Sequence, residues 1–195
     1  MSLRQNTVTV AFACAGLLAA GAIVHSQDHE TFKATAVVKT AGGATANAPV
    51  SITITRKTPQ AEADKLSSSF KTGGAAALRT ALKGVPTTGS VRLGSGPATP
   101  TRITIERTTD KGRLLTIVTD KPLLHLGSGV PGAKPKEGYD FAVVDIEVDA
   151  TGAGSGTLSP AAKIGLKDGA FVVQDYSGEL VQLQSVSKGT AKATK

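Results

Sequence analysis

Three carboxylates at alternate positions, Asp145, Glu147 and Asp149, come nearest in type and spacing to a binding site. In a β-strand, such residues lie on one side, with steps of about 7 Å between them. Calcium loops instead fold their oxygens around the ion with turns and glycines, so we predict no metal site. We interpret this acidic stripe as a sheet face paired across strands with Lys or Arg, or as a surface that binds a cationic partner.

A serine and a lysine one helical turn apart could indicate acyl-transfer chemistry. Ser68-Ser69-Phe70-Lys71 has the S-x-x-K spacing, and Lys71-Thr72-Gly73 matches the K-T-G element of penicillin-recognising enzymes. In those enzymes the two elements are distant in sequence and converge on one site, whereas here they share Lys71. We therefore predict a solvated helix face and no catalytic residue.

The remaining reactive side chains do not form a recognisable site. His29 and His125 are the only histidines after position 26, and neither has a ligand-like neighbour at i+2 or i+4. A transition-metal site needs three or four ligands. The short glycine strings do not stand between a strand and a helix, as a phosphate-binding loop requires. The sequence therefore predicts no metal and no cofactor.

The first 26 residues have the pattern of an export signal. Arg4 gives a positive start, and an uncharged run of 18 residues extends from Thr7 to Val24. Val24-His25-Ser26 then fits a signal-peptidase site. We predict that residues 1–26 are cleaved, which leaves no transmembrane helix and a periplasmic or secreted protein. Because 18 residues reach the lower limit for spanning a bilayer, an uncleaved N-terminal anchor is the alternative.

Composition limits the possible partners. The chain has 22 basic and 15 acidic residues, a net charge of +7, and removal of Arg4 with the signal leaves +6. A basic exported protein is attracted to an anionic envelope polymer or to lipid head groups. Aromatic residues are scarce and no reading motif is present, which argues against specific nucleic-acid binding. Cys14 is the only cysteine, so the mature domain is cysteine-free and must fold without disulfides.

The elements that would position these residues are mainly strands. Thr31–Lys39 carries Phe32, Ala34, Ala36 and Val38 on one face, and Val50, Ile52 and Ile54 alternate with polar residues, the period of half-buried strands. Further short strands follow from residue 90 onward, including Leu123–Leu126 and Tyr139–Asp149. Turn residues such as Asp110-Lys111-Gly112 separate them. This pattern predicts a mainly β (β-rich α+β) fold, an antiparallel sandwich or open barrel.

Two helices are predicted between the second and third strands. Thr58 fits an N-cap with Pro59 at the first helical position, and Thr72-Gly73-Gly74 should break the first helix. Leu66, Phe70, Leu78 and Leu82 should face the core. We expect this two-helix insertion to pack across one face or to close one end of the strands.

The domain organisation is simple. We predict a signal peptide at 1–26, a single β-rich domain at 27–187 and a disordered basic tail at 188–195. The stretch Gly127–Gly138, with two prolines, is the longest irregular loop and the first candidate for a recognition loop.

Several short strings in this order resemble a family of uncharacterised, signal-peptide-bearing bacterial exported proteins. The strings include Ile54-Thr55-Arg56, Val91-Arg92-Leu93, Val118-Thr119-Asp120-Lys121-Pro122, Tyr139-Asp140-Phe141, Ser155-Gly156-Thr157-Leu158 and Ala161-Ala162-Lys163-Ile164. The resemblance covers roughly Val50 to Ser187. It implies export and one compact domain, and it implies no activity and no site residue.

Taken together, these patterns favour an exported, non-catalytic binding or structural module of the bacterial cell envelope. Two alternatives stay open. One is an enzyme whose site is assembled only in three dimensions, and the other is a carrier that holds a small apolar ligand inside a β-barrel.

Overall fold

A computed structural model describes residues 29–39, 45–123, 137–167, 170–177 and 180–189. The predicted signal peptide, His125, the strand expected at Leu123–Leu126 apart from Leu123 itself, and most of the loop at Gly127–Gly138 lie outside these ranges. The predicted basic tail lies outside them from residue 190 onward. Its first two residues, Lys188 and Gly189, belong to the last strand.

The described residues form nine strands and one helix. The first group comprises β1 (Glu30–Lys39), β2 (Thr45–Ile54), α1 (Gln60–Lys83) and β3 (Gly89–Leu93). It is followed by β4 (Thr99–Thr109), β5 (Gly112–Thr119) and β6 (Phe141–Val148). The last three strands are β7 (Gly154–Lys167), β8 (Ala170–Tyr176) and β9 (Val181–Gly189). The prediction of a mainly β fold is therefore confirmed.

Eight of the strands close into an antiparallel barrel. The sheet order is β6-β5-β4-β3-β2-β1-β9-β7-β8, and an additional pairing joins β6 to β7. Closure leaves β8 outside the ring, paired only with the second half of β7, where Ala162 has Phe141 of β6 on one edge and Tyr176 of β8 on the other. The expected open barrel or sandwich is thus a closed barrel, which leaves no unpaired edge between β6 and β7.

Alternation along the strands fills the barrel interior with apolar side chains. On β1, the predicted face of Phe32, Ala34, Ala36 and Val38 is buried, and the residues between them are half-buried or exposed. These four pack in one cluster with side chains from β2, β3, β5, β6, β7 and β9. Burial of this cluster is the main stabilising contribution to the barrel.

A second apolar cluster lies between α1 and the outside of the barrel. Ile103, Val118 and Val143 point outward from β4, β5 and β6 and pack with Leu78 and Leu82 of the helix. Strands in this sector are buried on both faces, which explains the nearly continuous apolar stretch from Phe141 to Val144. The helix therefore covers one face of the sheet, the first of the two packings that the sequence predicts.

The expected pair of helices is not supported, because α1 is one element from Gln60 to Lys83. Gly73 and Gly74 have non-helical backbone angles inside it, and Gly74 has φ +61° and ψ −152°. The predicted break therefore appears as a kink between two helical halves. Both halves face the second apolar cluster, where Leu66, Leu78 and Leu82 are buried and Phe70 is partly buried.

The helix also begins one residue later than expected. Pro59 takes the N-cap position, and no side chain caps the helix. Thr58 is instead committed to β4: its hydroxyl oxygen accepts a hydrogen bond from Thr104 N at 2.9 Å, and its own N–H donates to Thr104 O at 2.8 Å. This strand-like contact anchors the start of α1 to the barrel wall.

Candidate functional site

The predicted acidic stripe divides into two environments. Asp145 and Glu147 are half-buried on the outer side of β6, whereas Asp149 lies in the turn after the strand and is exposed. The Asp149 carboxylate accepts hydrogen bonds from Thr151 N at 2.8 Å, the Thr151 hydroxyl at 2.6 Å and Ala153 N at 3.1 Å. These bonds lower the pKa of Asp149, with the Thr151 hydroxyl as the largest cause. Asp149 therefore stabilises a turn.

Asp145 borders a small pocket between β5, β6, β7 and β8. The pocket is partly open to solvent and is lined mainly by apolar side chains such as Val118, Val143 and Ile164. The Thr116 hydroxyl donates to Asp145 Oδ1 at 2.6 Å. Burial raises the pKa of Asp145, and this effect outweighs the opposing influence of Thr116 and the Arg107 charge. The cross-strand hydrogen-bond partner of Asp145 is thus Thr116 and not the expected Lys or Arg. Arg107 acts on Asp145 through its charge alone.

A network of five charged side chains lies at one end of the barrel. Four of them are at inward positions of β1, β4, β5 and β9, and the fifth lies between β2 and α1. We call Lys57, Glu106, Arg113, Glu30 and Lys188 the ion network. Arg113 binds Glu30 through two contacts, Nη2 to Oε1 at 2.8 Å and Nη1 to Oε2 at 3.0 Å. Lys188 Nζ reaches Glu30 Oε1 at 2.6 Å. Glu106 Oε2 accepts from Arg113 at 2.9 Å and lies 2.8 Å from Lys57 Nζ.

Electrostatics keep both carboxylates of the network ionised. Burial alone would raise the pKa of Glu30, whose side chain is only 7% exposed, but the hydrogen bonds from Arg113 and Lys188 outweigh it and lower the pKa. Glu106 behaves similarly through Lys57 and Arg113. The bond to Glu30 is the largest cause that raises the pKa of Arg113. The Arg113 guanidinium also lies 5.8 Å from the centroid of the Phe32 ring, within cation–π range.

The sequence-based predictions missed this network because its members are far apart along the chain. Glu30 and Arg113 are 83 residues apart, and Glu30 and Lys188 are 158 residues apart. One local signal was present in the sequence. Glu30 lies two residues before Phe32 and four before Ala34, so its side chain is on the same side of β1 as theirs, inside the barrel. A charged residue on an inward face requires a partner, and this parity would have identified Glu30.

The serine–lysine motif is placed on an exposed part of α1. The hydroxyl of Ser68 donates to the carbonyl of Asp64 at 2.8 Å, a backbone contact common for helical serines. Lys71 is exposed. His29, just before β1, is exposed as well. The structure therefore places the Ser68 hydroxyl in a backbone contact of the helix.

The outer side of β3, β2, β1 and β9 forms a polar face that α1 does not cover. Its outward positions are mostly hydroxyl and amide side chains, half-buried or exposed: Thr31, Thr35, Ser51, Thr53, Ser90, Gln182, Gln184 and Ser187. Two cations, Lys33 and Arg92, are also exposed there. No outward position of these four strands within the described residues carries a carboxylate.

Strand register places the two cations in one row. Ser51 of β2 pairs with Lys33 of β1 on one side and with Arg92 of β3 on the other. Lys33 also pairs with Ser187 of β9. The row Arg92–Ser51–Lys33–Ser187 therefore crosses four strands, and neither cation forms an ion pair with any described residue.

Comparison with known proteins gives no family for this chain. No protein-family model, no curated protein and no solved structure matches it. Any functional assignment therefore depends on the chemistry of its own residues.

Two further features bear on the kind of site that the chain can form. Across the described ranges, no group of three or more His, Cys, Asp or Glu side chains is arranged to hold a metal ion. Within the same part of the chain, no helix has both the length and the apolar character needed to cross a membrane.

Proposed function

We propose that this protein is an exported, non-catalytic binding module of the bacterial cell envelope that attaches to an anionic envelope polymer or lipid surface. The proposal includes cleavage of residues 1–26 as a signal peptide, with location in the periplasm or outside the cell. The observation that carries it is the polar face, where two cations stand among hydroxyl and amide groups without a carboxylate.

The packing of the barrel favours binding on its outside. Interior positions of β1, β2, β6 and β9 are occupied by the chain's own apolar side chains, many of them fully buried. Four members of the ion network, Glu30, Glu106, Arg113 and Lys188, occupy inward strand positions at one end of the barrel. Helix α1 covers the sector formed by β4 to β8. Among the described residues, the polar face is a part of the barrel wall that α1 does not cover.

Net charge supports an anionic partner. The mature chain has an excess of six positive charges, and such an excess draws a protein toward anionic polymers and surfaces. The carboxylates of the ion network are each paired with two cations. Asp145 and Glu147 lie on β6, which is separated from β9 by β7. They do not neutralise the cations of the polar face.

Retention on native envelope material tests the proposal. The full chain, produced so that the cell can process its N-terminus, is passed over immobilised cell-wall and lipid fractions at low and high salt. We expect retention on an anionic fraction at low ionic strength and elution as salt screens the charges. Equal retention at both salt concentrations, or no retention on any anionic fraction, would contradict the proposal.

A further inference from the structure

We propose that the row Arg92–Ser51–Lys33–Ser187 on the polar face is a binding site for an anionic polysaccharide. This inference rests on the proposed function and makes it more specific, because it names the surface and the chemical class of the partner. The cations bind carboxylate or other acidic groups of the sugar chain, and the serines between and beside them bind its hydroxyl groups.

The spacing of the row suits an extended, repeating polyanion. Arg92 and Lys33 are separated by β2, so their backbones lie two strand spacings apart, about 9.5 Å. Ser51 lies between them and Ser187 continues the row onto β9. A linear chain laid across the strands meets a cation, a hydroxyl, a second cation and a second hydroxyl in turn. The two cations of the row can therefore each bind a different acidic group of the same chain.

Neighbouring rows extend the hydrogen-bonding surface. Thr53 pairs with Ser90 and with Thr31, which places three hydroxyl-bearing residues side by side on one flank of the cationic row. On the other flank, Thr35 pairs with Gln184. Hydroxyl and amide groups both donate and accept hydrogen bonds, so they match the many hydroxyl groups of a sugar chain.

The same composition argues against a lipid bilayer as the partner. Segments that lie in a membrane surface insert apolar side chains, often Trp, Phe or Leu, among the lipid chains. Among the outward positions of the described polar face, Val37 and Pro49 are the only large apolar residues, and no aromatic residue is present. Binding by hydrogen bonds and charge alone is compatible with a hydrated polysaccharide. It also predicts an interaction of modest affinity that salt weakens strongly.

The test compares two double variants of the full chain on polygalacturonate beads. Lys33→Gln/Arg92→Gln removes both cations of the row, and Lys65→Gln/Lys71→Gln removes two exposed cations from α1 as a control with the same net charge. All four positions are exposed, so both variants should keep the circular-dichroism spectrum of the wild type. We expect about tenfold weaker retention for the first variant, from the loss of two surface charge contacts, and near wild-type retention for the second.

The possible outcomes distinguish failure of the proposed polysaccharide site from failure of the proposed envelope function. If the wild type binds polygalacturonate and both variants bind less by the same factor, net charge explains the binding and the proposed site is wrong. If the wild type is retained on phosphatidylglycerol vesicles and not on polygalacturonate, the polysaccharide is the wrong partner while the broader envelope function stands. If the wild type binds neither probe nor native envelope fractions, both proposals fail. Retention on neutral dextran beads equal to that on polygalacturonate would also contradict a role for Lys33 and Arg92.

Discussion

Glu30 and Arg113 form a two-point ion pair, 2.8 and 3.0 Å long, that joins the first strand of the barrel to the fifth. Both residues occupy inward positions at the same end of the barrel. In a low-dielectric setting a single charge would be costly, but the bidentate geometry and the added contact from Lys188 satisfy the Glu30 carboxylate. The pair therefore lies where the apolar interior of the barrel ends, and it leaves no unpaired charge there.

Replacing Glu30 should destabilise the protein measurably. Glu30→Gln keeps the shape of the side chain but removes the charge partner of Lys188 and leaves Arg113 paired with Glu106 alone. Breaking a fully buried pair costs about 3–5 kcal/mol, but Arg113 and Lys188 are 23% and 43% exposed and water will compensate in part. We expect a decrease of about 1–3 kcal/mol in the free energy of unfolding, measured in urea. Glu137 is exposed and is not part of the network, so the control variant Glu137→Gln should unfold like the wild type.

Acid should remove the contribution of the network. The folded-state pKa values of Glu30 and Glu106 lie below their ordinary values, so between the two values the unfolded chain binds more protons. The resulting stabilisation is complete above the ordinary pKa and is lost as the pH falls through the folded pKa. The stability difference between wild type and Glu30→Gln should therefore be largest near pH 7 and should shrink by about pH 2. A difference that is the same in urea titrations at both pH values would contradict this account.

The kink in α1 should depend on Gly74. Its φ of +61° and ψ of −152° lie in a region that side chains with a Cβ rarely adopt. Nothing lies within 4 Å of a Cβ built there, so any cost comes from the backbone. We expect Gly74→Ala to lower the free energy of unfolding by about 1–3 kcal/mol. In Gly84→Ala, the control, φ is −87° and the nearest atom is 3.6 Å away, so urea denaturation should show little change.

Shortening a buried side chain of α1 should lower the stability of the protein, because the helix packs on the outside of the barrel. Leu78 is fully buried in the second apolar cluster together with Ile103 and Val118. Leu78→Ala leaves a cavity there, and we expect a loss of about 2–4 kcal/mol in urea unfolding. Lys83→Ala, at an exposed position of the same helix, should change stability by less than about 0.5 kcal/mol. Equal behaviour of the two variants would show that α1 does not pack on the barrel as described.

Local patterns in the sequence predicted much of the fold. Alternation on β1 and β2 identified strands and their inward faces because each has one buried side, and Asp110-Lys111 does form the turn between β4 and β5. Gly73 and Gly74 indicate an interruption of the helix, and the structure has a kink there. The apolar side chains of both helical halves pack in the same cluster, so the two halves form one kinked helix. The sequence could not predict closure, which depends on pairing β6 with β7 and β1 with β9.

The candidate sites were harder to predict because they depend on register. Asp145 and Glu147 lie on one side of β6, as their alternation predicts, whereas Asp149 belongs to the turn that follows the strand. Lys33 and Arg92 are 59 positions apart, and only their common neighbour Ser51 places them in one row. The alternation of residues within one strand cannot predict which residues of two other strands lie beside each other.

Amide chemical shifts during titration with soluble polygalacturonate test most directly the claim that the partner binds the outside of the barrel. The account predicts that the shifts change first at residues 31–37, 47–53, 90–92 and 182–187, and that they return toward their free values when salt is added. Changes confined to β5 and β6, or to α1, would contradict it, because these elements lie outside the polar face.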